Sequence, residues 1–179
     1  LVRYNADGSL DPTFHSTGTV TTLIGESSYV NAVAVQPDGK IVAAGSAYFG
    51  SKLVFAIARY NADGSLDTTL NSSGTVTTSI ATISRANAVA LQPDGKIVAA
   101  GNCVIGMNSF FALARYNADG SLDTTLNSGG TVTTSIGTNS YANAVALQPD
   151  GKIMAAGSSS DGGWSFALIR YNRDGSLDT

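Results

Sequence analysis

The chain has 179 residues, 43% hydrophobic and 13% charged, with a formal net charge of −3. That apolar content supports a folded core and excludes disorder, while the scattered cations exclude a basic footprint for nucleic acid and a polybasic membrane anchor. One cysteine, Cys103, excludes an intrachain disulfide and a cysteine-based zinc set, and reads as a small packed residue.

In chain order, the first thing met is the end of a repeat. Arg3-Tyr4-Asn5-Ala6-Asp7-Gly8-Ser9-Leu10-Asp11 returns at Arg59, at Arg115 and, with Arg173 in place of the alanine, at Arg170. Gln36-Pro37-Asp38-Gly39-Lys40-Ile41 returns at Gln92 and Gln148. The spacing is about 56 residues, and Ala58–Ser72 is identical to Ala114–Ser128. A period of that size indicates a solenoid, propeller or array in which each unit needs its neighbours.

Residues 1–5 read as the end of a third strand, and Gly18–Ile24 as a fourth. The array then divides into a partial unit 1–28, full repeats 29–84 and 85–140, and a unit 141–179 that lacks its fourth strand. The middle repeat shows the pattern. In Ala86–Gln92, Val89 and Leu91 alternate with Ala88 and Ala90, so one face is large and the other small, as in a strand covered on both sides. Pro93-Asp94-Gly95 is a turn, and Lys96–Gly101 completes a hairpin. Asn102 to Ser109 reads as a loop, Phe110–Asn117 as a third strand, and Ala118-Asp119-Gly120 as another tight turn. Thr-rich Gly130–Ile136 reads as an outer, solvated fourth strand. No segment has a 3.6-residue period. Four antiparallel strands per repeat, with apolar character falling from first to last, describe the blade of a β-propeller. The alternating alanines let blades pack closely near the axis. A parallel β-helix would need shorter rungs and fewer Asp-Gly hairpins.

The string Ala88–Gly101, followed by Phe111–Asp123, resembles the bacterial delta-60 repeat, a propeller-forming family similar in layout to NHL-type blades. Every complete repeat carries both strings, so the resemblance covers nearly the whole chain. It implies large, secreted or surface proteins of bacteria. It implies no reaction and no catalytic residue. A composition rich in Ser, Thr, Asn and Gly but poor in Lys and Glu also leans extracellular. No signal-peptide pattern or long apolar run is present.

Residues 1–11 and 168–178 are two copies of one segment, and both cannot occupy one place in a closed three-bladed ring. The fourth strand at Gly18–Ile24 is the natural candidate to complete the last unit. Propellers have roughly 4–8 blades. The array is therefore a window on a larger ring, half of a six-bladed ring completed by a second copy, or a link in an end-to-end assembly through open edges.

Function reads as a scaffold for protein interaction or self-assembly, with no catalysis and no cofactor. The partners expected are a second copy or another protein, with glycan as the alternative, and neither nucleic acid nor membrane insertion. One end of the blades, made of Gln-Pro-Asp-Gly and Asn-Ala-Asp-Gly turns, is nearly constant; the other varies. Binding residues concentrate on variable loops held by a rigid scaffold. Tyr48, Phe49, Asn102, Met107, Asp161 and Trp164 are the candidates there. Asn61–Asp67 loosely resembles a calcium loop but lacks a distal bidentate Glu, and its Asp residues suit local capping instead. His15, the only histidine, aligns with Asn71 and Asn127, which fits repeat drift better than a triad with Asp11 and Ser16. The recurring Arg-Tyr pair fits a scaffold role, with Arg bonding blade to blade to a turn Asp and Tyr packing beneath.

Overall fold

In the computed structural model, which describes residues 1–179, every regular element is a β-strand. β1 (Ser27–Val35), β2 (Ile41–Phe49), β3 (Lys52–Tyr60) and β4 (Thr75–Thr78) form the first blade as an antiparallel meander. β5 (Ile83–Leu91), β6 (Ile97–Ile105), β7 (Asn108–Tyr116) and β8 (Thr131–Thr134) form the second in the same register, Ala99 opposite Ala114 as Ala43 is opposite Ala58. β9 (Asn139–Leu147), β10 (Ile153–Ser160) and β11 (Trp164–Tyr171) form the third, with β9 beside β10. The all-β propeller reading holds.

Two strand boundaries differ from expectation. The stretch from Asn102 to Ser109 is not a loop: β6 and β7 pair residue by residue up to Ile105 and Asn108, leaving only Gly106-Met107 as the turn. Gly106 has φ +63, which lets the hairpin close in two residues. The fourth strand expected at Gly18–Ile24 is reduced to one antiparallel bridge, Val2 to Thr19.

The inner strand of each full blade carries a bulge, between Val30 and Ala32 and between Ala86 and Ala88. A bulge turns one residue out of the ladder and re-aims its side chain. Here that residue is Asn31 or Asn87, whose Nδ2 donates to a carbonyl of the next blade, Ala86 at 2.8 Å or Ala142 at 2.9 Å. The bulged backbone presses on the second strand, so the facing residue must be glycine. A Cβ on Gly101 would lie 1.8 Å from the Arg85 carbonyl oxygen, and Gly45 meets Tyr29 in the same way.

The core lies between blades. Val42, Ala44, Phe55 and Ile57 of the first blade meet Ile97, Ala99, Ala114 and Tyr116 of the second. Val98, Ala100, Phe111 and Leu113 of the second meet Ala142, Ile153, Ala155 and Tyr171 of the third. The small-large division read in the strands is this division between faces. Each fully buried Phe, Ile or Leu contributes roughly 1.5–3 kcal/mol, so no single blade stabilises itself.

Residues 1–24 do not complete the last blade. Phe14 and Val20 pack on Ala43, Ala58 and Tyr60 of the first blade. They stand there as the outer half of a preceding blade, and the array is an open arc.

Candidate interaction surfaces

Each blade junction is held by the same set of polar contacts. Arg59 Nε donates to Asp67 Oδ2 at 2.6 Å, and its NH1 crosses to the Ala118 carbonyl of the next blade at 2.6 Å. Arg115 makes the same pair with Asp123 at 2.7 Å and reaches the Arg173 carbonyl at 2.7 Å. The ion pair therefore stays within a blade, and what crosses the junction is a bond to a main-chain oxygen. This corrects the expected blade-to-blade Arg–Asp contact: the carboxylate, eight residues after the arginine, fixes the guanidinium so that its free edge meets the neighbouring turn. Tyr60, Tyr116 and Tyr171 pack beneath, and each hydroxyl bonds the Oγ1 of Thr22, Thr78 or Thr134 in the preceding blade at 2.7–2.8 Å.

Burial alone would raise the Asp123 carboxyl. The Thr125 hydroxyl and amide and the Arg115 guanidinium outweigh it and hold the group down at about 2. Asp67 is likewise held well below the usual carboxylate range, by Thr69, Lys40 and Arg59 against the same desolvation. These carboxylates are locked into the scaffold as anions.

The turn carboxylates are engaged locally. Asp63 Oδ1 accepts from both the amide and the hydroxyl of Ser65, and Asp119 does the same with Ser121. No three His, Cys, Asp or Glu side chains converge on a point. His15, at φ 50, shares its left-handed turn with Asn71 and Asn127. Its amide bonds the Asp63 carbonyl across the junction at 2.6 Å. Asp11 is engaged by Thr13 and Arg3 rather than by His15.

The six candidate residues lie on three different blades and form no common site. Phe49 and Met107 are exposed at the hairpin tips, Tyr48 is half-buried, and Asp161 accepts a bond from Thr138 Oγ1 at 3.1 Å. Asn102 is corrected. It lies within β6, 3% exposed, opposite Phe111, and its Nδ2 has no partner in the chain. Tyr48 and Phe49 close β2 rather than lying in a loop, while Trp164 begins β11 and is exposed at this end. Its counterparts Leu53 and Ser109 are buried at blade junctions. Two aromatic pairs form at this end: Tyr29 with Tyr48, edge-on at 6.5 Å, and Tyr141 with Trp164, tilted at 5.6 Å.

The constant end holds what the sequence reading passed over. A cleft of about 660 Å³ opens there between the second and third blades, walled by Pro93 and Pro149 and lined by Gln92, Gln148, Lys96 and Arg173. Arg173, where the other repeats have alanine, was the available signal.

The outer face of the third blade is uncovered. Phe166 corresponds to Phe55 and Phe111, and Leu168 to Ile57 and Leu113. Those four are fully buried, whereas Phe166 is fully exposed and Leu168 is 64% exposed. Arg170 is also uncovered: its side chain is 47% exposed against 4% for Arg59 and Arg115. It pairs with Asp178 but reaches no carbonyl of a next blade.

The family model described as Domain of unknown function (DUF5122) beta-propeller matches residues 1–14, 36–70, 92–126 and 148–179, more than half of the chain. The chain belongs to this family. The matched segments of the DUF5122 propeller are the constant ones: both turns, the second and third strands, and the Arg–Asp pair. A WD domain, G-beta repeat model also matches residues 17–48, across the first inner strand, so the chain is similar to propeller repeats on two counts. No curated protein matches it. Propeller repeat domains are usually modules of protein interaction.

Proposed function

We propose that this chain is a non-catalytic propeller scaffold, of the delta-60 repeat type, that acts by protein interaction and assembles with itself. The observation that carries this reading is the repeated blade junction, in which Arg59 and Arg115 each reach a carbonyl of the next blade and like faces pack on like faces. Units that need their neighbours make a rigid array suited to interaction. The strongly depressed carboxylates, Asp67 and Asp123, are bound into blade junctions, where they serve the scaffold. The resemblance to the delta-60 repeat implies a secreted or surface location in a bacterium, and the composition leans the same way.

The test is binding of the soluble chain to the same chain immobilised on a biosensor. Saturable binding supports the scaffold reading; no binding at any concentration tested counts against self-assembly. A second reading, carbohydrate binding at the variable end, draws support from the Tyr29–Tyr48 and Tyr141–Trp164 pairs, whose rings offer stacking surfaces. Saturable signals on a glycan array that Tyr48→Ala abolishes would favour it.

A further inference from the structure

We propose that the cleft between the second and third blades binds an acidic peptide segment of a partner protein, with Arg173 as the receptor for its carboxylate. This rests on the protein-interaction reading and names a partner chemistry for one site on the scaffold. At about 660 Å³, the cleft falls within the roughly 300–1,000 Å³ typical of ligand sites.

Arg173 sets this cleft apart. The same turn position holds Ala6, Ala62 and Ala118 in the other units. The Arg173 main chain is fixed from the second blade, where Arg115 Nη1 donates to its carbonyl at 2.7 Å. Its side chain lies across the Pro149-Asp150-Gly151 turn, and Nε donates to the Asp150 carbonyl at 2.5 Å. Gly151 makes room for it, since a Cβ there would stand 2.5 Å from that Nε. The Nε bond is the side chain's one bond within the chain, so Nη1 and Nη2 are both free. The neighbouring acids are engaged in their own turns. Asp150 Oδ1 accepts from the Lys152 amide at 3.1 Å, and Asp174 Oδ1 from the amide and hydroxyl of Ser176 at 3.0 and 2.7 Å. A guanidinium anchored through Nε, with its two terminal nitrogens free, matches the two oxygens of a carboxylate.

The lining favours an anion. Lys96, Arg115 and Arg173 face one lining carboxylate, Asp94, while Asp123 neutralises Arg115 from behind. The lining is thus positive on a chain whose net charge is −3, a local field that draws acidic groups to this end. Lys96 is only loosely tied to Asp123. Its Nζ stands 3.5 Å from the carboxylate, against 2.9 Å for Lys40 and Asp67, and it turns to the exposed Asp94 at 3.1 Å.

Two features favour a peptide over other anions. Gln92 and Gln148 line the cleft, one from each blade, and the buried Oε1 of each accepts no bond within the chain. A main-chain N–H of the ligand would satisfy it. Pro93 and Pro149, with Leu91 and Leu147, give an apolar lining against which a side chain beside the acidic one packs. Gln36 has the same unbonded oxygen in the first blade, so the glutamines belong to every repeat and the arginine to this cleft.

The experiment is fluorescence anisotropy on the 179-residue chain, with a dye-labelled, end-capped peptide of alternating glutamate and leucine as probe. Its glutamine counterpart and oligogalacturonate, a carboxylated sugar, are compared with it. The variants are Arg173→Ala, Arg173→Lys and Ala118→Arg. Alanine is what the other units carry, so Arg173→Ala keeps the fold; circular dichroism checks all three. The expected result is saturable binding of the glutamate peptide, one per chain, and none of the glutamine peptide. Arg173→Ala weakens it at least about tenfold, and Arg173→Lys weakens it less, because an ammonium keeps the charge but lacks the fork. Ala118→Arg, which sets the same side chain over Gly95 between the first and second blades, raises the stoichiometry to two. Absence of saturable binding, binding that Arg173→Ala leaves unchanged, or a stoichiometry that stays at one in folded Ala118→Arg overturns the proposal. Tighter binding of oligogalacturonate than of the peptide overturns the choice of a peptide. None of these touches the scaffold reading, which fails separately if the chain does not bind itself.

Discussion

Replacing Asp123 by alanine tests the junction chemistry most sharply. The carboxylate accepts from Arg115 Nε at 2.7 Å and from the amide and hydroxyl of Thr125 at 3.1 and 2.7 Å. Arg115 and Asp123 side chains are 4% and 5% exposed. Alanine leaves the guanidinium buried beside a carbonyl and a hydroxyl, with no anion, and with Lys96 close by. Removing one partner of a buried pair costs about 3–5 kcal/mol, whereas replacing both by apolar residues of similar volume is often neutral. Against a total stability of roughly 5–15 kcal/mol, that loss is a large fraction. Urea unfolding followed by far-UV circular dichroism measures it. With a slope of about 1–3 kcal/mol/M, the midpoint falls by more than about 1 M. Arg115→Met/Asp123→Leu recovers most of the loss, and Asp7→Ala, in an exposed turn, shifts the midpoint far less. An unchanged midpoint in Asp123→Ala, with the fold intact, would refute the argument that this pair holds the junction.

The same carboxylates set the acid limb of stability. Asp123 is lowered from 3.8 to about 2 on folding, so its contribution is complete above the unfolded value and is lost as pH falls through the folded one. Midpoints measured between pH 5 and 2 therefore decline below about pH 4, and Asp123→Asn flattens that limb. Gly101→Ala forces a Cβ to within 1.8 Å of the Arg85 oxygen; thermal unfolding registers a loss of about 1–3 kcal/mol, as for overpacking elsewhere, whereas alanine at exposed Gly163, where nothing lies within 4 Å, changes little. Cys103 is fully buried and burial pushes its thiol up to about 11. A thiol reagent at pH 8 leaves it unmodified in the native chain and titrates it fully in denaturant.

The repeat made the fold legible. Alternating Ala with Val or Leu marked a strand covered on both sides, and the turn signals at Pro93-Asp94-Gly95 and Ala118-Asp119-Gly120 fell where chain reversals occur. What the strings hid was register. Asn102 and the Gly106-Met107-Asn108 that follows look like a loop, yet hairpin pairing carries Asn102–Ile105 on as strand, which buried Asn102. The bulge at Asn31 and Asn87 was equally hidden, because a one-residue irregularity leaves no mark on an alternating pattern; only the glycine on the facing strand hints at it. The Arg-Tyr pair was recognised as structural, but its direction depends on where the Asp eight residues later folds back, a tertiary fact. Interaction residues were sought on loops, where variability draws attention. Phe166 and Leu168 are core residues by every local criterion, and they are exposed here because no fourth blade among the 179 residues packs on them.

The central claim is that the chain is a scaffold that assembles with itself. The most direct measurement is the mass in solution by light scattering, over a hundredfold range of concentration. The account predicts a rise above the 18.2 kDa of one chain as concentration increases. A mass that stays at one chain across the range would contradict it.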